Sequence, residues 1–184
     1  MRVRTIVVVC SVLVTVVACR TATVTSRPAT TSPTTPAASS GATTGSVFRA
    51  DLTVQRSGLG LLALTNTAKR PVTVQGWPTL AFYDAADESL AVPVRQVDVP
   101  GAGPKITIGP GETAFAGVRW AVGDKADPKT FVATSLRLTP PGGSQPVTVS
   151  VIGTDGQVAE FPEFDVTAAE IGTLQPSSQG VLVF

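Results

Sequence analysis

Short segments in which apolar and polar residues alternate recur between residues 46 and 184. A period of two residues is typical of β-strands that bury one face. We predict strands at residues 50–55, 59–64, 72–75, 79–83, 90–97, 106–108, 113–121, 130–138, 147–151, 158–161 and 181–184. Residues 123–129 form either one helical turn or a loop, and no other segment is convincingly helical. The pattern predicts an all-β fold, an immunoglobulin-like β-sandwich.

The clearest turn signals follow the second predicted strand. We predict that residues 66–71 form the turn of a β-hairpin between the strands at 59–64 and 72–75. A sharp corner should follow at Trp77 and Pro78, because proline holds the preceding residue extended and cannot donate a hydrogen bond to a sheet. The same stretch therefore leads the chain from one strand pair to the next.

Two other turn and edge signals lie later in the chain. Pro93 interrupts the apolar segment 90–97 and predicts an edge strand, because an interior strand needs every backbone N–H. Asp155-Gly156 predicts a two-residue hairpin turn before the strand at 158–161.

Burial follows from the same pattern. Few aromatic residues are present, with seven Phe, one Tyr and two Trp, so aliphatic packing should dominate the core. We expect Val72, Trp77 and Trp120 to be buried, and Lys69 and Arg70 to be exposed in their turn.

The first 18 residues have the pattern of a secretory signal peptide. Arg2 and Arg4 precede an apolar run at residues 6–17, which is shorter than the roughly 18–20 residues that span a bilayer. Ala18 supplies a small residue, and Cys19 follows it directly. Val16-Val17-Ala18-Cys19 resembles the bacterial lipobox, which implies cleavage before Cys19 and attachment of acyl chains such as palmitate. The alternative is an ordinary signal peptide with a chance cysteine at the cleavage site.

Residues 20–45 consist mainly of Thr, Ser, Ala and Pro, and Arg20 and Arg27 are their only charged residues. Such a composition buries too little apolar surface to fold, which predicts a disordered tether. We therefore divide the chain into a signal peptide (1–18), a lipidated Cys19 with its linker (19–45) and a β-sandwich domain (46–184). The expected location is the outer face of the cell membrane, with the lipid anchor contacting the bilayer.

Composition excludes several classes of chemistry. The chain has no histidine, its one methionine is Met1, and its two cysteines are Cys10 and Cys19. We therefore expect no metal site, no cofactor and no histidine-dependent catalysis. Residues 46–184 carry ten basic and thirteen acidic residues, which argues against nucleic acid as a partner.

Carboxylates are the remaining candidates for chemistry. Glu160, Glu163 and Asp165 flank Pro162, and two of them on one strand face could act as the carboxylate pair of a glycoside hydrolase. A solvated strand face is the alternative interpretation. The acidic segment at residues 84–88 could bind Ca²⁺ weakly, although aspartates are also routine turn formers.

The central stretch resembles a known family. Residues 66–78, reading NTAKRPVTVQGWP, together with Phe82 and Asp84, look like the signature of an actinobacterial family, domain of unknown function 4232. Its members share a signal peptide, a lipobox, a Thr/Ser/Pro tether and one β-sandwich. The resemblance implies the fold and the envelope location but no activity.

The resemblance also implies that a disulfide has been lost. The family commonly has glycine and cysteine where this chain has Ala68 and Val72, and the second family cysteine is expected within residues 131–138. Val72 should therefore face that segment, with Val132 or Thr134 as its inward partner.

These observations predict a membrane-anchored envelope lipoprotein. Its domain should be a non-enzymatic binding or structural module whose partner is a cell-wall component or another envelope protein. The alternative function is a carboxylate-dependent hydrolase that acts on cell-wall polysaccharide.

Overall fold

The computed structural model describes residues 46–143 and 145–184; the predicted signal peptide, Cys19 and the linker lie outside these ranges. The described residues contain twelve β-strands and no helix. The strands are β1 (Phe48–Arg56), β2 (Leu59–Asn66), β3 (Val72–Gln75), β4 (Thr79–Tyr83), β5 (Ser89–Leu90), β6 (Val94–Gln96), β7 (Lys105–Ile108), β8 (Thr113–Val122), β9 (Phe131–Ala133), β10 (Ser135–Thr139), β11 (Val147–Ile152) and β12 (Phe164–Ile171). Within this part of the chain, no helix is long and apolar enough to cross a membrane. The segment at 123–129 is a loop with turns.

Ten strands form one sheet, in the order β5-β4-β10-β11-β1-β2-β8-β12-β6, and β9 also pairs with β12. The first and last strands of this order, β5 and β6, are separated by only Ala91, Val92 and Pro93. Four residue steps of at most about 3.6 Å keep Leu90 and Val94 within about 14 Å of each other. The sheet therefore curls into a nearly closed barrel or sandwich, which confirms the predicted all-β fold. The edge position predicted from Pro93 is also confirmed.

The core consists mainly of aliphatic side chains from alternating positions. Leu52 on β1 and Leu62 and Leu64 on β2 are fully buried, and each such side chain contributes about 1.5–3 kcal/mol of burial free energy. Trp120 on β8 is buried and packs edge-on against Phe164, with ring centroids 5.5 Å apart. The predicted burial of Trp120 and the predicted aliphatic core are both confirmed.

The predicted hairpin between β2 and β3 is wrong. β2 pairs with β1 and β8, whereas β3 pairs with β7 in a separate two-stranded sheet. Buried Asn66 ends β2: its Nδ2 donates to the carbonyls of Arg70 (2.9 Å) and Ile108 (2.8 Å), and its Oδ1 accepts from the N–H of Ala68 (2.9 Å). These bonds hold residues 67–71 as an arch that carries the chain from one sheet to the other.

The predicted single strand at 130–138 is also wrong, because the chain changes partner at Thr134. β9 pairs with β12, and β10 pairs with β4 and β11. Ala133 and Leu136 are both buried, whereas Val132 is 39% exposed, so the alternation shifts by one residue at the change of partner. Val132 and Thr134 are therefore not the inward positions, and Val72 lies directly across from Ile108.

Two predicted strands near the carboxyl end are absent from the described structure. Residues 158–161 make only an isolated bridge between Ile152 and Val158, and residues 181–184 form no strand. Asp155 and Gly156 do lie in a turn, with Gly156 at a φ of 78°, but the N–H of Gly153 donates to the carbonyl of Gln157 (2.8 Å), so the loop has three residues and not the predicted two. The last strand is β12, which the alternation did not reveal because a bulge between Val166 and Ala168 shifts its pattern.

Candidate functional site

Two of the surface clefts in the described residues contain side chains that the sequence analysis singled out, Trp77 in one and Glu163 with Asp165 in the other. The first, the Trp77 cleft, has a volume of about 690 Å³. It is lined by Gln75, Gly76, Trp77, Thr79, Asp98, Ala102, Gly103, Thr139, Pro140, Pro141, Gly142 and Gly143. The second, the carboxylate cleft, has a volume of about 430 Å³. It is lined by Val54, Ser57, Trp120, Val122, Val151, Gly153, Thr154, Ala159, Phe161, Pro162, Glu163, Phe164 and Asp165.

Trp77 occupies the predicted corner between β3 and β4. Gly76 precedes it with a φ of 89°, a conformation that glycine adopts without steric cost, and Pro78 after it is buried. The indole Nε1 donates a hydrogen bond of 2.8 Å to the carbonyl of Val97. Trp77 is only half-buried, so the expectation of full burial is not met. The ring is therefore fixed in position and still partly open to solvent.

The loop that carries Asp98 and Gly103 forms a second wall. Thr173 anchors this loop from a fully buried position: its Oγ1 donates to the carbonyl of Gly101 (2.8 Å) and its N–H donates to that of Val99 (3.0 Å). A Cβ on Gly103 would lie 3.0 Å from the Cα of Gly76, so the two walls meet at backbone contact. Sequence reasoning missed Thr173, because nothing local marks a threonine as an anchor.

The third wall is the turn after β10. Gly142 and Gly143 have φ values of 94° and 77°, and a Cβ on either would meet no atom within 4 Å. These glycines leave open space at the rim of the Trp77 cleft. Because this wall lies at residues 139–143, far along the chain from the walls at 75–79 and 98–103, no local motif could reveal the cleft.

Four side chains supply the polar groups of the Trp77 cleft. They are the carboxylate of Asp98, the amide of Gln75 and the hydroxyls of Thr79 and Thr139. Among the described residues of the lining, Asp98 is the one that carries a charge. The lining combines an aromatic ring with hydrogen-bonding groups, as small-ligand sites commonly do.

The carboxylate cleft brings together two of the three predicted carboxylates. Glu163 and Asp165 line it, whereas Glu160 is exposed and lies outside its lining. Lys125 donates a hydrogen bond to Glu163, and the pKa of Lys125 is raised first by that bond and then by the charges of Asp165 and Glu163. Sequence reasoning missed Lys125, which reaches Glu163 from the loop after β8.

The surroundings of these carboxylates are partly apolar. Phe161 in the lining is 91% exposed and Val122 is 54% exposed. The Oδ1 of Asp165 and the Oγ1 of Thr130 are buried without a hydrogen-bond partner among the described residues. The arrangement offers an acidic group beside an open hydrophobic surface.

The acidic segment at residues 84–88 forms a turn. Asp84 Oδ1 accepts hydrogen bonds from the N–H groups of Ala86 and Glu88, each at 2.9 Å, and Asp87 makes two bonds to Arg137. The turn-former interpretation is therefore confirmed. Across residues 46–143 and 145–184, no group of three or more His, Cys, Asp or Glu residues could hold a metal ion.

A charge cluster attaches edge strand β6 to the sheet. Glu170 on β12 accepts hydrogen bonds from Arg95 on β6 and from Arg119 on β8. The bond from Arg95 is the main cause of a lowered pKa at Glu170, burial opposes the shift, and Arg119 adds to it. Because Glu170 is the cross-strand partner of both arginines and so links β6, β12 and β8, we assign this cluster a structural role.

The chain matches the family model described as Domain of unknown function (DUF4232) over residues 38–170. Comparisons with curated proteins and with solved structures returned no match. The family match covers more than two-thirds of the chain, including the whole Trp77 cleft and the signature residues around it. The chain therefore belongs to the family of domain of unknown function 4232.

Proposed function

We propose that this protein is a lipid-anchored module on the outer face of the cell membrane that binds an envelope component without transforming it. The observation that carries the binding role is the Trp77 cleft, which combines an indole held by Val97 with convergent polar groups. Preorganised side chains favour binding because less conformational entropy is lost when the ligand arrives.

The anchor is proposed from the sequence around Cys19. Acyl chains on this residue supply the membrane affinity, since each buried CH₂ contributes about 0.8 kcal/mol and more than one chain gives stable attachment. The tether then separates the β-sandwich from the bilayer, which leaves the Trp77 cleft free to meet an envelope partner.

Detergent phase partitioning tests the anchor. The wild-type protein should enter the detergent phase, and Cys19→Ala should enter the aqueous phase or remain uncleaved. Cys10→Ala is the matched control and should behave as wild type, because Cys10 lies within the predicted signal peptide. Equal aqueous partitioning of wild type and Cys19→Ala would contradict the proposal.

Cosedimentation with membrane-free cell wall tests the binding role. The full chain, purified in detergent, should sediment with the wall material, and Trp77→Ala should sediment less. Phe161→Ala is the control, because it alters the carboxylate cleft instead. Background-level sedimentation of the wild type would refute binding to wall material, and equal sedimentation of Trp77→Ala would refute the role of the Trp77 cleft.

A second candidate function is hydrolysis of cell-wall polysaccharide in the carboxylate cleft. The supporting observation is that Glu163 and Asp165 line one cleft. Against it, the carboxylate of Glu163 already accepts a hydrogen bond from Lys125, so it is not free to contact a glycosidic oxygen while this pair is formed.

Release of reducing ends from wall polysaccharide tests this second candidate. If the protein is a hydrolase, Glu163→Gln and Asp165→Asn abolish the release, and Glu160→Gln preserves it. No release by the wild-type protein would eliminate this candidate and leave the binding role.

A further inference from the structure

We propose that the Trp77 cleft takes a neutral glycan, a short oligosaccharide without charged groups. This inference rests on the proposed binding function and names the class of ligand. A volume of about 690 Å³ falls within the roughly 300–1,000 Å³ typical of small-ligand sites. The cleft is therefore large enough for more than one sugar ring.

The indole of Trp77 suits a sugar ring better than a peptide. Its one polar atom, Nε1, is already bonded to the carbonyl of Val97 at 2.8 Å. A proline-rich peptide in an aromatic groove presents backbone carbonyls that need donors, and this N–H is not free to donate. A pyranose ring instead places C–H groups against an aromatic face, which requires only the ring surface.

The polar groups around the ring match hydroxyls, which both donate and accept hydrogen bonds. The carboxylate of Asp98 is acceptor-only and receives O–H groups. The amide of Gln75 and the hydroxyls of Thr79 and Thr139 supply both donors and acceptors. An apolar face ringed by such groups is complementary to a sugar, whose ring face is apolar and whose edge is polar.

The charge of the lining selects a neutral ligand over an anionic one. Within residues 46–143 and 145–184, Asp98 is the one charged residue that lines the Trp77 cleft, and the lining contains no lysine or arginine. Lys105 is the cross-strand neighbour of Gln75, yet it lies outside the lining. A phosphate or uronic acid in the cleft would meet the charge of Asp98 without a cationic partner, and like charges brought together oppose binding.

The test is a tryptophan fluorescence titration of the full chain, purified in detergent. The probes are neutral tetrasaccharides, one of β-1,4-linked glucose and one of β-1,4-linked N-acetylglucosamine, and a tetramer of galacturonic acid as the anionic comparison. Trp120 also lines the carboxylate cleft, so a ligand-dependent change in emission is assigned to Trp77 only where Trp77→Ala abolishes it. We expect at least one neutral tetrasaccharide to shift the emission and to bind more tightly than the anionic tetramer.

Two variants test the contacts. Trp77→Ala should raise the Kd by about tenfold or more, the range expected when a stacking aromatic is lost, measured by calorimetry because the reporter is removed. Asp98→Asn should raise it severalfold, and because Asp98 is exposed and makes no side-chain hydrogen bond within the described structure, this variant keeps the fold. Glu88→Gln, an exposed carboxylate outside both clefts, is the control and should bind as wild type.

The proposal is overturned if neither neutral tetrasaccharide binds, if the anionic tetramer binds more tightly, or if Asp98→Asn binds as wild type. Failure here is distinguishable from failure of the proposed function. Cosedimentation with cell wall that still depends on Trp77 would keep the binding role and assign the cleft to another class of ligand.

Discussion

Asn66 offers the sharpest test of how this fold is held together. It is fully buried at the end of β2, and its side chain makes three hydrogen bonds of 2.8 to 2.9 Å to the backbone of Arg70, Ile108 and Ala68. These bonds tie the arch between the two sheets to β7. Asn66→Ala removes all three and leaves the carbonyl of Ile108 without this partner.

The expected loss of stability follows from the bond count. Each hydrogen bond contributes a net of about 0.5–1.5 kcal/mol, and a buried group left unpaired adds about 1–3 kcal/mol. We expect Asn66→Ala to lower the free energy of unfolding by about 2.5–7.5 kcal/mol, a large share of the roughly 5–15 kcal/mol of a typical domain. With a urea m-value of about 2 kcal/mol/M, the unfolding midpoint should fall by about 1–4 M.

Two further variants make the measurement specific. Thr67→Ala changes an exposed neighbour and should leave the urea midpoint near that of wild type. Asn66→Asp keeps the acceptor for the N–H of Ala68, but it places a carboxylate oxygen against the carbonyls of Arg70 and Ile108. At neutral pH it should therefore lower the free energy of unfolding at least as much as Asn66→Ala does. At low pH the introduced carboxylate is protonated and regains one donor, so the urea midpoint of Asn66→Asp should move closer to that of wild type. A wild-type midpoint for Asn66→Asp at neutral pH would refute the reasoning.

Three other predictions follow from the packing and charges. Trp77→Ala should cost about 1–3 kcal/mol by urea unfolding, less than the roughly 3–5 kcal/mol for buried Trp120→Ala; equal losses would contradict the half-buried position of Trp77. The lowered pKa of Glu170 means that its ion pairs contribute fully above about pH 4.5, the ordinary value, and that this stability is lost as the pH falls through the folded-state pKa. The melting temperature of Glu170→Gln should therefore be lower than that of wild type at neutral pH, and the two melting temperatures should converge in acid. A difference between them that does not change with pH would show that titration of Glu170 does not cause it. Gly117→Ala places a Cβ 2.0 Å from the carbonyl oxygen of Val181 and should lower the melting temperature, whereas Gly101→Ala, with no atom within 4 Å, should not.

Local pattern was sufficient to predict most of the strands. Side chains of a strand alternate between two faces whatever the strand pairs with, so the buried positions of β7, Ile106 and Ile108, could be predicted without the partner strand. The turn at Asp155-Gly156 and the edge at Pro93 follow from backbone chemistry that is equally local. The family resemblance, quoted on residues 66–78, is confirmed by the match over residues 38–170.

Pairing partners depended on contacts that are distant in sequence. β3 pairs with β7 and not with its neighbour β2 because the bonds of Asn66 reach Ile108, 42 residues away. Likewise, the shift of alternation at Thr134 arises because β9 and β10 join different strands. A short apolar segment carries no information about which edge it will meet, so these pairings could not be predicted from alternation.

For the candidate site, too, the sequence determined some features and only the tertiary structure determined the others. The amino-acid sequence alone established that histidine is absent and named Glu160, Glu163 and Asp165 as candidate carboxylates, but it predicted Trp77 to be a buried core residue. Only the tertiary structure assembled the Trp77 cleft, because its walls come from three loops, around residues 75–79, 98–103 and 139–143. The tertiary structure alone also placed Lys125 beside Glu163 and separated Glu160 from the carboxylate cleft. The physical reason is that residue types limit which chemistry is available, whereas the distances between them are set by how the sheet curls.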